Sequence, residues 1–228
     1  MATADLLDIF NNALLNIGAS GALASVSEQS AEAAACALRY PSIARTILRD
    51  VDWNCVRRRV GLVEVAAGAV WAPSWCYMYR YPADCLVVRG FDTGIPHARY
   101  PRWTMVDYEV ADDALAGKVV LTNVACPTMI YTSYVLDLAN GLYEAKFDSQ
   151  LRETLGWALA AAIAGPLTGS KGIADAAKLE TKNMLAAAKQ SNTLEGNLNI
   201  RDPWMAESLT VRGGGDEPPP WYPTYGRG

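Results

Sequence analysis

The chain has one histidine in 228 residues, and that scarcity removes most ordinary routes to acid–base, nucleophilic and metal chemistry at neutral pH. Positive charge is also short. Lys and Arg number 20 against 24 Asp and Glu, a net charge of −4, so no broad basic surface is available to grip phosphates. The cysteines, Cys36, Cys55, Cys76, Cys85 and Cys126, are odd in number and lack the close pairs of structural zinc sites, which predicts reduced, buried thiols and no bound metal. No apolar run reaches the length of a membrane span. Met1 to Phe10 carries two acids and no basic residue, which argues against a secretory signal. The expectation is a soluble chain made in a cytoplasm, with no membrane contact.

What is abundant is apolar and aromatic. Hydrophobic residues make up 51% of the chain, and a chain of this length hides about 70% of its unfolded surface, enough for one or two small domains. Seven Trp and eleven Tyr stand against three Phe. Trp and Tyr carry a polar tip on an apolar body, so they serve cores and partner surfaces equally well.

Leu6, Phe10, Leu14 and Ile17 recur at helical spacing, with Asp5 in the first turn and Gly18 placed for a left-handed cap. Ser25-Val26-Ser27-Glu28 reads as a capping box for a second helix with Ala34, Leu38, Pro41, Ala44 and Leu48 on its apolar face. Pro41 predicts a kink there, or a break into two helices at Tyr40. From Val60 to Val135 the chain turns β-branched and aromatic, in runs over 60–66, 75–81, 85–89, 104–110, 118–123 and 129–135. In Trp75-Cys76-Tyr77-Met78-Tyr79-Arg80-Tyr81 the four aromatics alternate and should share one strand face. Helical spacing returns with Asp148 as N-cap and Leu151, Leu155, Leu159 and Ile163 as its stripe, stopped by Gly165-Pro166. Ser170 then caps a fourth helix bearing Ile173, Ala177, Met184 and Ala188.

These patterns predict an α+β protein. Segments 1–58 and 137–195 form a helical bundle, 59–136 an inserted antiparallel β domain, and 196–228 an extended C-terminal arm. The arm is Gly- and Pro-rich and cannot bury enough to fold alone. Its Trp204, Trp221, Tyr222 and Tyr225 read as anchors awaiting a groove.

Catalytic candidates are few. His97 lies in the loop-like Gly94-Ile95-Pro96-His97-Ala98-Arg99, and the enzymatic alternative is a small metal- or His-dependent hydrolase or nuclease built on His97 with Asp92 and Asp107. Against it, most of Asp92, Asp107, Glu109, Asp112 and Asp113 flank predicted turns, where acids are common for local backbone reasons. Gly165-Pro166-Leu167-Thr168-Gly169-Ser170-Lys171-Gly172 departs from a phosphate loop in spacing and in the order of Ser170 and Lys171, and reads as a turn between helices. Arg57-Arg58-Arg59 is the compact basic cluster; it suits salt bridges at a subunit or partner interface better than a nucleic-acid-binding module. No catalytic, cofactor-binding or metal residue is assigned, and no cofactor is expected.

Several segments, taken in order, resemble the tail tubular protein A family of short-tailed bacteriophages and related head-to-tail connectors. Ile17-Gly18 followed by a Ser25-containing start is similar to that family's opening. Asp52-Trp53-Asn54-Cys55 with Arg57-Arg58-Arg59 is similar to its helix-to-sheet signature, and Trp75, Tyr77, Tyr79, Pro82, Asp84, Cys85 and Leu86 to its aromatic strand and turn. Phe147-Asp148 through Leu155, Ala158, Ala160 and Ala161 to Pro166-Leu167-Thr168-Gly169-Ser170 is the fullest match. Phe91 to Pro101 and the chain after Gly196 match nothing in the pattern. The resemblance implies a non-enzymatic virion protein, a homo-oligomeric ring of about twelve copies between the portal protein and the tail nozzle protein. Tail fibres would be a further partner, and genomic DNA would pass through the channel without sequence-specific contact. On that basis Trp53, Arg57, Arg58 and Arg59 belong near an intersubunit or portal contact, and Trp204, Trp221, Tyr222 and Tyr225 to the arm.

Overall fold

Helix α3 (Ser149–Thr168) buries Leu151, Leu155, Leu159, Ala160, Ile163 and Ala164 on several sides, which is the signature of a helix enclosed by others. In the computed structural model, which describes residues 2–19, 21–65, 75–92, 106–114, 116–135 and 143–195, α1 (Ala2–Asn16), α2 (Ala31–Asp50) and α4 (Lys171–Glu195) all pack on it. Leu6, Ile9, Phe10 and Leu14 of α1 complete this core. At Gly156 a side-chain carbon would lie 3.3 Å from Asn12 Cβ, so the absence of a side chain lets α1 and α3 approach. Gly156→Val is expected to lower stability by about 1–3 kcal/mol through overpacking, read by chemical denaturation; an unchanged midpoint would mean that α1 yields freely.

The helix ends follow local chemistry. Gly18 takes a positive φ of 75° after α1, as its position predicts. Ser25 to Glu28 does not start a helix: the Glu28 carboxylate accepts from the Ala24 N–H at 3.0 Å and closes a turn, while Ser30 caps α2 by accepting from Ala33 N–H at 3.2 Å. Helix α2 runs unbroken through Pro41. Tyr40 and Ala44, both fully buried beside it, supply packing that outweighs one lost backbone bond. The buried face of α2 is Ala33, Cys36, Tyr40, Ala44, Ile47 and Leu48, and Leu38, expected inside, is 77% exposed. Asp148 caps α3 as expected, accepting from Leu151 N–H at 2.7 Å. Gly165-Pro166 does not stop α3. The helix continues to Thr168 and ends where Gly169 adopts φ 65°, because a proline in the last turn removes only one bond from an end already short of partners.

The β segment forms two antiparallel three-stranded sheets rather than one. Strands β1 (Arg57–Gly61), β2 (Tyr77–Arg80), β3 (Cys85–Asp92), β4 (Tyr108–Asp113), β5 (Gly117–Thr122) and β6 (Thr128–Ser133) are ordered β1-β6-β3 and β2-β5-β4. The division arises just after β1, where Val65 N–H donates to Met78 O and Arg80 N–H to Val63 O, so the chain leaves one sheet to border the other. Tyr79, Val120, Met129 and Tyr131 form a core shared by the two sheets. Tyr77 and Tyr79 stack at 6.2 Å, but Trp75 leaves their face and packs with Met78, Val119 and Leu121. The architecture is α+β. Among the described residues no helix is long and apolar enough to cross a membrane. The expected arm, 196–228, lies outside the described residues.

Candidate interface site

Strand alternation divides the basic cluster. Arg57 and Arg59 point to one face of β1 and Arg58 to the other, so the three do not make a single patch. Each also has its own acid. Arg57 forks onto Asp52, with Nη2 at 2.7 Å and Nε at 3.2 Å. Arg58 reaches Asp84 at 2.6 Å, and Tyr131 donates to the same carboxylate at 3.0 Å. Arg59 meets Asp92 at 3.5 Å. Arg58 and Arg59 keep more than half their side-chain surface exposed, so these pairs set geometry more than they stabilise.

Trp53 does not present its ring to a partner in this fold. It is fully buried, and its indole N–H donates to the Ile47 carbonyl at 3.2 Å. The side chain expected near an intersubunit or portal contact thus has a core role: as part of the helix-to-sheet signature it holds the end of α2 in place beneath β1.

Arg89 organises the junction, and nothing in the local sequence pattern points to it. Register shifts interrupt β3 between Cys85 and Val87 and between Val88 and Gly90. Bulges of this kind re-aim side chains, and here the displaced residues are Leu86 and Arg89. Leu86 packs against the helical core. Arg89 Nη2 donates to the carbonyls of Leu48 (2.8 Å), Arg49 (3.1 Å) and Val51 (2.7 Å), and Nε to Thr132 Oγ1 at 2.8 Å. A cation is thereby set on the carbonyl end of α2, where helix dipole and orphan acceptors favour it. Burial lowers the Arg89 pKa and Asp52, at 3.7 Å, opposes that shift; the guanidinium stays charged at any physiological pH.

Glu144 is a second residue that no local pattern marks. It is fully buried, and Tyr40 donates to it at 3.1 Å. Burial, then the Glu144 charge, drives the Tyr40 pKa upward. Close by, the Tyr143 hydroxyl donates to the Ser133 carbonyl and packs edge-on against Tyr134. Tyrosines in this chain thus close the seam between β6 and the helices, using their polar tips inside the protein.

The acids weighed for catalysis are scattered. Asp92 is tied to Arg59, and Asp107 is exposed before β4. His97 and the arm anchors Trp204, Trp221, Tyr222 and Tyr225 lie outside the described residues. Among the described residues no group of His, Cys, Asp and Glu is placed to hold a metal ion. All five cysteines are free. Burial pushes the Cys36 and Cys55 thiols up to about 11, but Cys76 and Cys126 are exposed, contrary to the expected burial. Both sit beside turns, where the chain bends away from a core.

No protein-family model matches the chain, and no curated protein matches its sequence.

Proposed function

We propose that this chain is a structural virion protein, a head-to-tail connector that closes into a ring between portal and tail nozzle and lets the genome pass through. It works mechanically and without catalysis, in the virion after assembly in the host cytoplasm. The observation that carries the reading is where the resembling segments fall. Asp52 to Arg59 joins the end of α2 to β1, Trp75 to Leu86 supplies β2 and the first bulge of β3, and Phe147 to Ser170 is the central helix. The segments are therefore the parts that hold helices and sheets together, as a shared architecture requires.

Two features support a ring. Leu15, Leu38 and Leu179, on three different helices, are 70%, 77% and 61% exposed, giving those helices apolar groups to offer a neighbour. Arg57, Arg58 and Arg59 are occupied by Asp52, Asp84 and Asp92, so a net-acidic protein keeps little basic grip on passing phosphates. Light scattering of the purified chain, alone and mixed with its portal ring, tests the proposal. A large discrete closed assembly is expected in at least one sample; a monomer indifferent to the portal would overturn it.

A further inference from the structure

The sheet edges differ in how they are closed. The outer side of β2 is taken up by residues 63–65, two bulges interrupt β3, and the arginines of β1 are tied to Asp52, Asp84 and Asp92. Strand β4 pairs with β5 without a break in register, and no strand among the described residues borders its other side. The direction of its main-chain groups follows from β5. In an antiparallel ladder the N–H and C=O of one residue face the same neighbour, and the facing alternates along the strand. Tyr81 N–H donates to Lys118 O at 3.2 Å, so the main chain of Lys118, Val120 and Thr122 turns to β2. Their partners in β4 are Asp112, Val110 and Tyr108, whose N–H and C=O groups therefore point out of the sheet. The same alternation holds on β2, where Met78 O and Arg80 N–H turn outward and meet Val65 and Val63. Beside this open backbone, Tyr108 and Val110 are exposed apolar side chains on one face, with the Tyr108 ring set against Phe91 at 4.9 Å. Acids surround them. Glu109 and Asp113 lie on the opposite face, Asp112 follows Val110 on the apolar one, and Asp107 precedes the strand. Glu109 accepts from the Trp75 indole at 3.0 Å rather than from a cation, and Lys118, across from Asp112, turns its Nζ to the Tyr81 ring.

We propose that the open edge of β4 is a docking site for an extended basic segment of a partner protein, which adds a strand to the sheet. The main chain of the segment bonds to Tyr108, Val110 and Asp112, its apolar side chains lie against Tyr108 and Val110, and its lysines or arginines face Glu109 and Asp113. A regular edge of unpaired donors and acceptors is a template for pairing, and β4 carries neither the proline, the lysine nor the bulge that commonly blunts one. Charge selects the occupant. The β4 of a second copy brings like carboxylates alongside, and the same carboxylates repel nucleic acid. A strand with basic side chains at alternate positions meets opposite charge. The site does not depend on the ring, because one chain holds the whole edge.

The test is fluorescence anisotropy with the full chain and a short labelled peptide of alternating lysine and valine. Saturable, salt-weakened binding is expected. The Glu109→Gln, Asp113→Asn double variant keeps both side-chain acceptors and removes both charges, and should bind about tenfold more weakly. Val110→Pro removes an N–H that the β4–β5 ladder does not use, so binding is lost while the melting temperature holds. The same peptide N-methylated along its centre keeps its charge but cannot donate to β4, and should also lose binding; it decides the matter if Val110→Pro proves unstable. Glu153→Gln, which removes an exposed acid on α3, should bind as the parent does. Absence of saturable binding, equal binding of the N-methylated peptide, or equal loss in Glu153→Gln overturns the proposal. So does self-association of the chain that Val110→Pro abolishes, which would assign the edge to a second copy.

Discussion

Replacing Trp53 with alanine lowers the free energy of unfolding by about 3–5 kcal/mol. The ring is among the largest fully buried side chains, and its removal leaves a cavity where the end of α2, the turn at residues 54–56 and β1 converge. The change also strands the Ile47 carbonyl, which the indole N–H now satisfies, adding an unpaired acceptor to the cavity cost. Because domains are stable by only about 5–15 kcal/mol, the loss is a large share of the whole. Denaturant unfolding of the full chain reads it. Trp53→Phe should fall between parent and alanine, since it keeps most of the volume and drops the hydrogen bond. A loss under about 1 kcal/mol for Trp53→Ala, with assembly abolished, would return the residue to an interface.

Arg89→Ala is expected to cost about 3 kcal/mol, the scale of losing hydrogen bonds from one charged donor to several buried or half-buried acceptors. Three carbonyls at the end of α2 and the Thr132 hydroxyl lose a common partner, and Asp52 loses one of its two cations. Amide hydrogen exchange should quicken in the last turn of α2 and around Gly90 in β3, because both ends of the tie are released. Arg89→Lys should recover only a minor part: a single ammonium cannot span the helix end and the sheet as a planar guanidinium does. Full recovery by lysine would show that charge alone, and not the fork, holds the junction.

Helices were legible wherever burial repeats at the helical period. Leu6, Phe10 and Leu14 in α1 and Leu151, Leu155, Leu159 and Ile163 in α3 are all buried, and the caps at Asp148 and Gly18 lie where residue type alone puts them. Of the two readings of Pro41, the unbroken helix holds and the break at Tyr40 does not, whereas Pro166 does not stop α3, since a local backbone penalty is settled against packing that no local pattern contains. The face of α2 was misjudged for a related reason: Leu38 and Tyr40 are both apolar enough to be buried, and only Tyr40 has a carboxylate, Glu144, waiting for its hydroxyl.

The alternation of helical and β segments, the number of strands described and the α+β class follow from sequence, because each rests on periodicity and turn chemistry within a short window; strand bounds are less well set, and β1 (Arg57–Gly61) starts three residues before the run expected at 60–66. Tertiary structure alone decided that the strands divide into two sheets and that Arg57, Arg58 and Arg59 part to opposite faces and find separate acids. It also sent Arg89 to a helix end and set Lys118 over the Tyr81 ring. Those outcomes depend on bulges and on pairings between residues far apart in the chain. Their free energy is realised only when distant segments meet, so a local pattern carries no trace of them.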